Sequence, residues 1–534
     1  MAATQSSSAL LDSKWKKLCS LLFGGEIGAL GEYAGWLYEG NGPRLVAKSS
    51  FSSKEVIFAS NRYPAGAKYA SFEEAQPTPK PQTAAFSAME IPQLVRSIAN
   101  IICYSGNVVL GNCTLVEKST AIPESHFVYH SERVAYSKYV AYSTRGGYSD
   151  TIFGCYGFGP AQLSIKCKGI TICTRCFEVS RSDNSSDCYY SHGLSGCTDC
   201  MFCFNLRNKR FCIGNVQLSA EKYREAKARL LGEIRETLAK RKRLPALFEF
   251  FTNAQPDYAP LKSALVSFIP PPAEKTDKRR IEAAFSSATS ILLGAPCANI
   301  DEYEKWLSHN AAVEFSPCLS CHSGAPAPLP KFANFEMFPK DRLLTLEEAE
   351  FAGERLHISA QEAESLTLQN APQLLSKIAY FSPFWQVGMQ KNNIGSPSNI
   401  DSTGCYKGVV NILSKLCAFS FCPRTCEYSF GCNEGRHLSF CINCHFSAKL
   451  TRCFELDSCT NCSDCYFCHN CENVKDSMFC FNAKNLQYAI GNTIVGREKY
   501  LQAKKRLLAY AHLELGKKKC LEMSIYSIGK TQGG

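Results

Sequence analysis

The sequence predicts a mainly β protein with α-helices, built as a tandem duplication. Each half is expected to hold an α/β N-terminal part, a Cys-rich β-solenoid of 12-residue rows, and a capping helix. Three observations predict this fold: a long stretch of the chain recurs once, a 12-residue period recurs inside each copy, and a helical pattern follows each Cys-rich stretch. Small residues repeating in register at a short period are typical of solenoids, in which each turn stacks on the one before.

The duplication is visible as a long match without gaps. RCFEVSRSDNSSDCYY, from Arg175, recurs as RCFELDSCTNCSDCYF, from Arg452, and the match runs on into KYREAKARLL and KYLQAKKRLL. Weaker matches upstream pair Pro92-Gln93-Leu94 with Pro372-Gln373-Leu374, and Trp36-Leu37 with Trp306-Leu307. We therefore expect two halves of similar fold.

The repeat boundaries divide the chain into seven parts. The first half is predicted to contain an α/β part (1–110), a solenoid (111–218) and a capping helix (219–245). A Pro-rich linker (246–280) follows, and the second half repeats the order with an N-terminal part (281–391), a solenoid (392–495) and a helix with a tail (496–534).

Stacking each Cys-rich part in 12-residue rows aligns its cysteines in columns. A coil of one such row would enclose a narrow interior that suits small side chains, and free cysteine packs as a small hydrophobe. A 24-residue coil of two rows per turn fits the same spacing. Five pairs of cysteines are shared by the two copies and define the predicted structural ladder: Cys155 with Cys432, Cys167 with Cys444, Cys176 with Cys453, Cys188 with Cys465, and Cys203 with Cys480.

The densest run, CTNCSDCYFCHNC, places a cysteine at every third position from Cys459 to Cys471. In the other copy four of these five positions carry Ser182, Ser185, Ser191 and Leu194. Zinc needs deprotonated ligands that leucine cannot supply, whereas a packing position tolerates the exchange. Core packing is therefore the favoured interpretation, with metal ligation and disulfides between neighbouring rows as the alternatives.

Two further motifs need a separate interpretation. CLSCH, Cys318 to His322, and CINCH, Cys441 to His445, both match the spacing for c-type haem attachment, although no export signal is visible. CLSCH has no counterpart in the first half, and Cys318, Cys321 and His322 form a candidate zinc site that Cys297 or His309 could complete. Zinc is the one cofactor that the sequence suggests.

A catalytic alternative rests on the histidines that recur with an acid and a thiol. Nucleophilic catalysis by cysteine needs a nearby base and an orienting group. The candidate sets are Asp187, Cys188 and His192 in the first copy and Asp464, Cys465 and His469 in the second.

Aromatic residues also stack at the 12-residue spacing. Such a column either packs inside its own half or presents a docking surface. Its members are Phe177, Tyr189, Tyr190, Met201 and Phe202, followed by Phe454, Tyr466, Phe467, Met478 and Phe479.

Charge and hydropathy narrow the classes of partner. The chain carries a net charge of +11, and the helix from Lys222 to Arg243 ends in a basic run that could contact nucleic-acid phosphates. Ser219 is a plausible N-cap for this helix, with Tyr223, Ala226, Leu230 and Ile234 on one face. No apolar run approaches the length of a membrane-spanning helix and no signal peptide is apparent, so we expect no membrane span and a cytoplasmic location.

NLRNKRFCIGNVQLSAEKYREAK, from Asn205, and NAKNLQYAIGNTIVGREKYLQAK, from Asn482, resemble the end of a group of Cys-rich repeat proteins from small-genome bacteria and archaea. The resemblance covers a minor part of each half and implies a solenoid-like shape, but no activity. The chain departs from the group because it lacks repeated N-terminal CxxC pairs, so metal binding does not follow from the resemblance.

The sequence therefore predicts a structural or macromolecular-interaction protein whose partner is another protein. The first alternative is a zinc-dependent nucleic-acid-binding protein that uses the basic helix. The second is a Cys/His enzyme of unknown reaction.

Overall fold

The computed structural model describes residues 7–42, 44–64, 66–75, 86–99, 101–272 and 275–529 and combines α-helices with many parallel β-strands. The helices are α1 (Ser7–Phe23), α2 (Ala34–Tyr38), α3 (Ile91–Ala99), α4 (Ala220–Arg241), α5 (Tyr258–Ala264), α6 (Arg279–Leu293), α7 (Glu304–Ser308), α8 (Ala333–Glu336), α9 (Leu346–Gly353), α10 (Ala360–Glu364), α11 (Ala371–Leu374) and α12 (Arg497–Lys518). Short 3-10 helices occupy Leu30–Tyr33, Phe86–Ala88, Leu247–Phe251, Ile300–Tyr303, Lys340–Arg342 and Leu375–Lys377.

The strands up to the end of the first Cys-rich part are β1 (Leu45–Lys48), β2 (Glu55–Phe58), β3 (Tyr69–Ser71), β4 (Tyr104–Gly106), β5 (Val109–Leu110), β6 (Thr114–Glu117), β7 (Ile122–Pro123), β8 (His126–Tyr129), β9 (Glu132–Ala135), β10 (Lys138–Ala141), β11 (Thr144–Gly147), β12 (Asp150–Phe153), β13 (Ala161–Ile165), β14 (Lys168–Thr171), β15 (Cys173–Thr174), β16 (Phe177–Asp183), β17 (Ser186–His192), β18 (Thr198–Met201), β19 (Arg210–Ile213) and β20 (Val216–Gln217). The later strands are β21 (Phe315–Ser316), β22 (Leu329–Pro330), β23 (Gln386–Val387), β24 (Ser398–Ile400), β25 (Val410–Ile412), β26 (Glu427–Phe430), β27 (Arg436–Ile442), β28 (Ala448–Phe454), β29 (Ser463–Tyr466), β30 (Lys475–Met478), β31 (Ala489–Ile490) and β32 (Thr493–Ile494).

The chain forms two compact units, and each unit draws on three separate stretches. The first unit contains the described residues of Met1–Pro43, Gly111–Ala273 and Phe315–Trp385. The second contains those of Arg44–Leu110, Glu274–Glu314 and Gln386–Gly534. Each unit thus holds one Cys-rich part together with a covering segment from the opposite half of the sequence.

Parallel strands in both Cys-rich parts pair residues at the 12-residue spacing. In the first ladder, from β6 to β19, Val140 pairs with Val128 on one side and with Ile152 on the other. In the second ladder, from β23 to β31, Cys441 pairs with Cys453. An antiparallel strand, β20 or β32, ends each ladder. The row length inferred from sequence is therefore the register of strand pairing.

A left-handed backbone conformation at every third residue explains why the cysteines recur at a spacing of three. Positive φ angles at Arg452, Glu455, Ser458, Asn461 and Asp464 each precede a residue whose side chain lies in the ladder interior. For a residue other than glycine this conformation costs roughly 1–2 kcal/mol. The bonds between rows must offset that cost.

Interior hydroxyls contribute some of these bonds. Ser131 Oγ donates to the carbonyl of Tyr129 (2.9 Å) and accepts from the backbone N–H of Ser143 in the next row (3.1 Å). At the position of Cys459 in the second ladder the sulfur accepts from the N–H of Cys471 at 3.4 Å. Serine and cysteine therefore accept the same kind of hydrogen bond from a backbone N–H of the next row, which accounts for their exchange between the copies.

The cysteines are mainly core residues. Of the 30 cysteines, 22 lie in the two ladder interiors, including all ten of the predicted structural ladder. Every cysteine of the described chain is a free thiol, so disulfides between rows are not formed. Burial raises the pKa of Cys405 to about 12, which keeps the thiol of this residue neutral and unreactive.

The long helix after each ladder packs as predicted. The side chain of Ser219 accepts from the N–H of Lys222 and caps α4, and Tyr223 is among its buried residues. The corresponding Tyr500 of α12 is fully buried. The aromatic column is buried as well, so its internal-packing interpretation is confirmed and the docking-surface interpretation is wrong.

Two other sequence features have simple outcomes. The predicted Pro-rich linker contains α5, which Asp257 caps and whose Leu261 is buried in the first unit. In the described part of the chain, no helix is both long enough and apolar enough to cross a bilayer.

Candidate ligand-binding site

The first acid, thiol and imidazole set does not converge on a reaction centre. Asp187 forms a two-point ion pair with Arg175 (2.6 and 2.8 Å), while Cys188 lies in the ladder interior. The Nε2 of His192 lies 3.1 Å from the carbonyl of Ser382. Each member has its own partners on a different side of the strand, so the set lacks the geometry of a catalytic triad.

The members of the second set, Asp464, Cys465 and His469, also have separate partners. Asp464 pairs with Arg452 (2.7 Å), and Cys465 lies in the ladder interior. His469 does bind a carboxylate, but it is that of Asp457 in the preceding row. Sequence proximity grouped His469 with Asp464, whereas its carboxylate partner in the structure is Asp457.

The CLSCH motif lies on the hairpin between β21 and β22 in the first unit. Burial raises the pKa of Cys321 to about 12, and Cys318 is half-buried. Cys297 and His309, the suggested further ligands, belong to the second unit. Among the described residues no three or more His, Cys, Asp or Glu side chains form a group that could hold a metal ion. The zinc hypothesis for Cys318, Cys321 and His322 stays a prediction.

The basic helix α4 is largely neutralised within its own unit. Six of the nine Lys and Arg residues from Lys222 to Arg243 bind an acidic side chain or a carbonyl of the first unit. Lys227, for example, pairs with Asp199 at 3.2 Å. A phosphate backbone would have to compete with these partners, so the helix gives little support to nucleic-acid binding.

A buried polar network lies along the second ladder. The Nε2 of His469 accepts from the backbone N–H of Ser105 (3.2 Å), so the proton is on Nδ1, which lies 2.8 Å from Asp457 Oδ2. Asn470 Nδ2 donates to the carbonyl of Ser105 (3.0 Å) and binds His469. These contacts join β4, in the covering segment, to the ladder.

Asp457 is the centre of this network. It is fully buried, and it accepts from Tyr63 (2.8 Å) and Tyr526 (3.1 Å) in addition to His469. Burial alone would raise the pKa of Asp457, but the hydrogen bonds from His469 and Tyr63 outweigh it and hold that pKa below its ordinary value. The carboxylate is therefore charged although it is shielded from solvent.

His445 lies one row before Asp457 and is also fully buried. Neither ring nitrogen has a hydrogen-bond partner among the described residues. Burial, and then the positive charge of Arg62, lower the pKa of His445 to about 3. The imidazole is neutral at physiological pH.

Tyr526 connects this network with a cavity of about 610 Å³ in the second unit, which we call the Trp306 pocket. Its lining residues are Arg62, Pro64, Lys305, Trp306, His309, Asn310, Asn443, Glu455, Cys520, Leu521, Glu522, Ser524, Tyr526 and Ser527.

Glu455 supplies a buried carboxyl group to the pocket. The side chain is 1% exposed and accepts from the N–H of Ile525 (3.0 Å) and from Asn443 Nδ2 (2.8 Å). Burial raises the pKa of Glu455 to about 7, because these two neutral donors offset only part of the lost hydration.

Three polar atoms of the pocket are buried without a hydrogen-bond partner in the described part of the chain. They are the indole Nε1 of Trp306, the amide Oδ1 of Asn443 and one guanidinium nitrogen, Nη1, of Arg62. Leaving such a group unpaired costs about 1–3 kcal/mol. Their position around one cavity indicates a place where a polar ligand would supply the missing bonds.

The sequence alone does not reveal this site. Asn443 stands out only as part of CINCH, and the recurring acids, Glu178 and Glu455, lie in the matched segments with no motif around them. The one signal in the sequence is that an acid follows RCF in both copies, within the predicted ladder. Arg62 and Tyr526 carry no signal, since they lie far from the ladder in sequence.

In comparisons with known proteins, no family model, curated protein or solved structure matches the chain.

Proposed function

We propose that this chain is a structural or macromolecular-interaction protein, in which two tandem Cys-rich β-solenoids act as rigid scaffolds and the Trp306 pocket receives a group of the ligand. Strand pairing at a 12-residue register, with inward side chains at every third position, supports the solenoid assignment. The match from Arg175 to Arg452 supports an origin by duplication.

The observation that supports a binding role is that the candidate catalytic groups are buried, whereas the polar groups of the Trp306 pocket face a cavity. The thiols of Cys188 and Cys465 are sealed in ladder interiors, and His192 and His469 are fully buried with internal partners. The Trp306 pocket instead opens onto polar atoms that have no partner among the described residues. Such an arrangement suits binding better than turnover.

The first unit offers a matched reference for a test. There the indole of Trp36 donates to the carbonyl of Leu244 at 3.1 Å, whereas the indole of Trp306 has no such partner in the described chain. The indole N–H signals of the four tryptophans can be followed by 15N NMR and assigned by Trp→Phe variants.

The titration would use small probes of three classes: primary amines, carboxylates and neutral amides. We expect at least one class to shift the Trp306 signal at concentrations that leave the Trp36 signal in place. A Trp306 signal that responds to none of the three classes would overturn the proposed binding role.

A further inference from the structure

The first unit holds an internal ammonium group at the position that corresponds to the pocket. Lys166 is 1% exposed, and its Nζ donates to the carbonyls of Trp36 (2.6 Å) and Glu39 (3.3 Å). The same Nζ lies 5.6 Å from the centre of the Trp36 ring. Burial lowers the pKa of Lys166 to about 8, and the buried carboxyl group of Glu178 opposes that shift by stabilising the ammonium.

The second unit repeats this arrangement without the ammonium. Glu455 occupies the position of Glu178 in the other copy, and each accepts from one backbone N–H, of Ile525 at 3.0 Å and of Leu247 at 3.1 Å respectively. The same alignment of the two copies places Asn443 at the position of Lys166.

The path of the side chain is also repeated. Lys166 crosses Gly154, which has a φ of +66°, and Asn443 crosses Gly431, which has a φ of +67°. Asparagine is shorter than lysine and carries no charge. The second unit is therefore left with a cavity, an unpaired amide oxygen and a buried acid that no neighbouring cation stabilises among the described residues.

We propose that the Trp306 pocket binds a primary ammonium group of the ligand, held where the first unit holds the Nζ of Lys166. The backbone carbonyl of Trp306, the Oδ1 of Asn443 and the carboxylate of Glu455 would accept its three N–H bonds. This inference rests on the proposed binding function, and it names the class of ligand.

The remaining unpaired groups define the rest of the ligand. Trp306 Nε1 and Arg62 Nη1 are donors, so they need an oxygen acceptor near the ammonium. Exposed Lys305 at the rim has the same preference. A slender chain with an ammonium at one end and a carbonyl or carboxylate at the other meets both demands, whether it is a lysine side chain of a partner protein or a free ω-amino acid.

The direct test titrates the full chain with 6-aminohexanoate, with hexanoate as the analogue without an ammonium. We expect 6-aminohexanoate to shift the Trp306 signal at concentrations at least tenfold lower than hexanoate, which supplies the oxygen acceptor but no ammonium. A probe of Nα-acetyl-lysine methylamide separates the two sources: tighter binding of this probe favours a protein lysine, and tighter binding of 6-aminohexanoate favours a free amino acid. Binding of hexanoate or a neutral amide without amine binding would overturn this inference and leave the proposed function intact.

Two substitutions check the mode of binding. Asn443→Lys supplies the ammonium from inside, as in the first unit, so the chain should fold and lose at least tenfold in affinity for 6-aminohexanoate. Glu455→Gln should lose a similar factor while keeping the acceptor for Ile525. Glu498→Gln removes an exposed acid of α12 and serves as the control. Unchanged affinity in both pocket variants would contradict the inference.

The reciprocal substitution tests the same idea in the first unit. Lys166→Asn should lower the melting temperature, because Glu178 loses one of the two buried cations beside it and keeps only Lys168. Added butylamine should restore part of that loss, and butanol should not. Should the variant fail to fold, the Asn443→Lys result still decides the question.

The pH dependence adds a further check. Because the pKa of Glu455 is about 7, the carboxylate is protonated as the pH falls below that value, whereas a primary amine keeps its charge. Affinity for 6-aminohexanoate should therefore decrease from pH 8 to pH 5, and this decrease should be absent in Glu455→Gln.

Discussion

His469 and Asp457 form a hydrogen bond of 2.8 Å between two fully buried side chains that are one ladder row apart. Two tyrosines, Tyr63 and Tyr526, donate to the same carboxylate. The charge of Asp457 is thus compensated by hydrogen bonds inside the second unit.

Asp457→Asn should lower the free energy of unfolding by about 2–4 kcal/mol, because an amide cannot accept all of the hydrogen bonds that the carboxylate accepts and its N–H₂ group would face other donors. Urea-induced unfolding would measure the loss. Asp464→Asn is the matched control, since its ion pair with Arg452 is partly exposed and worth about 1 kcal/mol or less. Equal losses in the two variants would contradict a special role for Asp457.

Serine substitution should affect the cysteines unequally. Cys459→Ser is expected to stay within about 0.5 kcal/mol of the wild type, because Ser182 already fills the corresponding row and a hydroxyl accepts the N–H of Cys471 well. Cys465→Ser should cost about 1–2 kcal/mol, because it places a hydroxyl where both copies keep a thiol. Chemical denaturation of the two variants side by side would show the order, and a larger loss for Cys459→Ser would refute this account.

A chelator should leave the melting temperature unchanged, because the ladder cysteines pack as small core side chains. Differential scanning calorimetry with and without 1,10-phenanthroline is the measurement, combined with elemental analysis of the purified protein. Stoichiometric zinc whose removal melts the protein would show that metal binding supplies the folding free energy instead. Loss of zinc from Cys318→Ser alone would assign a metal to the CLSCH motif without affecting the ladders.

Acid should destabilise the second unit through His445. The folded-state pKa of about 3 is below the ordinary value of 6.5, so the unfolded chain takes up a proton first as the pH falls. Between these two values the histidine should remove about 1.4 kcal/mol of stability per pH unit. His445→Leu should flatten the decline, and His512→Leu, at an exposed position of α12, should not. Identical pH profiles for His445→Leu and the wild type would contradict the buried, neutral imidazole.

The sequence predicted those features that repeat at short range. The 12-residue register, the buried cysteines of the two ladders and the capping role of Ser219 follow from periodicity and local chemistry. The acid, thiol and imidazole sets failed because a left-handed residue such as Asp187 turns its neighbours to different sides of the strand. Adjacent positions in such a chain do not share an environment.

The site could not be predicted because its parts are distant along the chain. Tyr63 and Asp457 are 394 residues apart, and nothing in a single sequence connects them. The buried acids gave a usable signal, since Glu178 and Glu455 recur at corresponding positions of the two copies. Their partners at Lys166 and Asn443 differ, and only the three-dimensional arrangement gives that difference a meaning.

The covering segments impose an order on biosynthesis. Arg44–Leu110 is translated early, yet it belongs to the unit whose ladder begins at Gln386. The first ladder is likewise translated before Phe315–Trp385, the segment that covers it. Neither unit can be completed while the ribosome is still within the first half, so the first ladder must wait, partly uncovered, until the second half of the chain emerges.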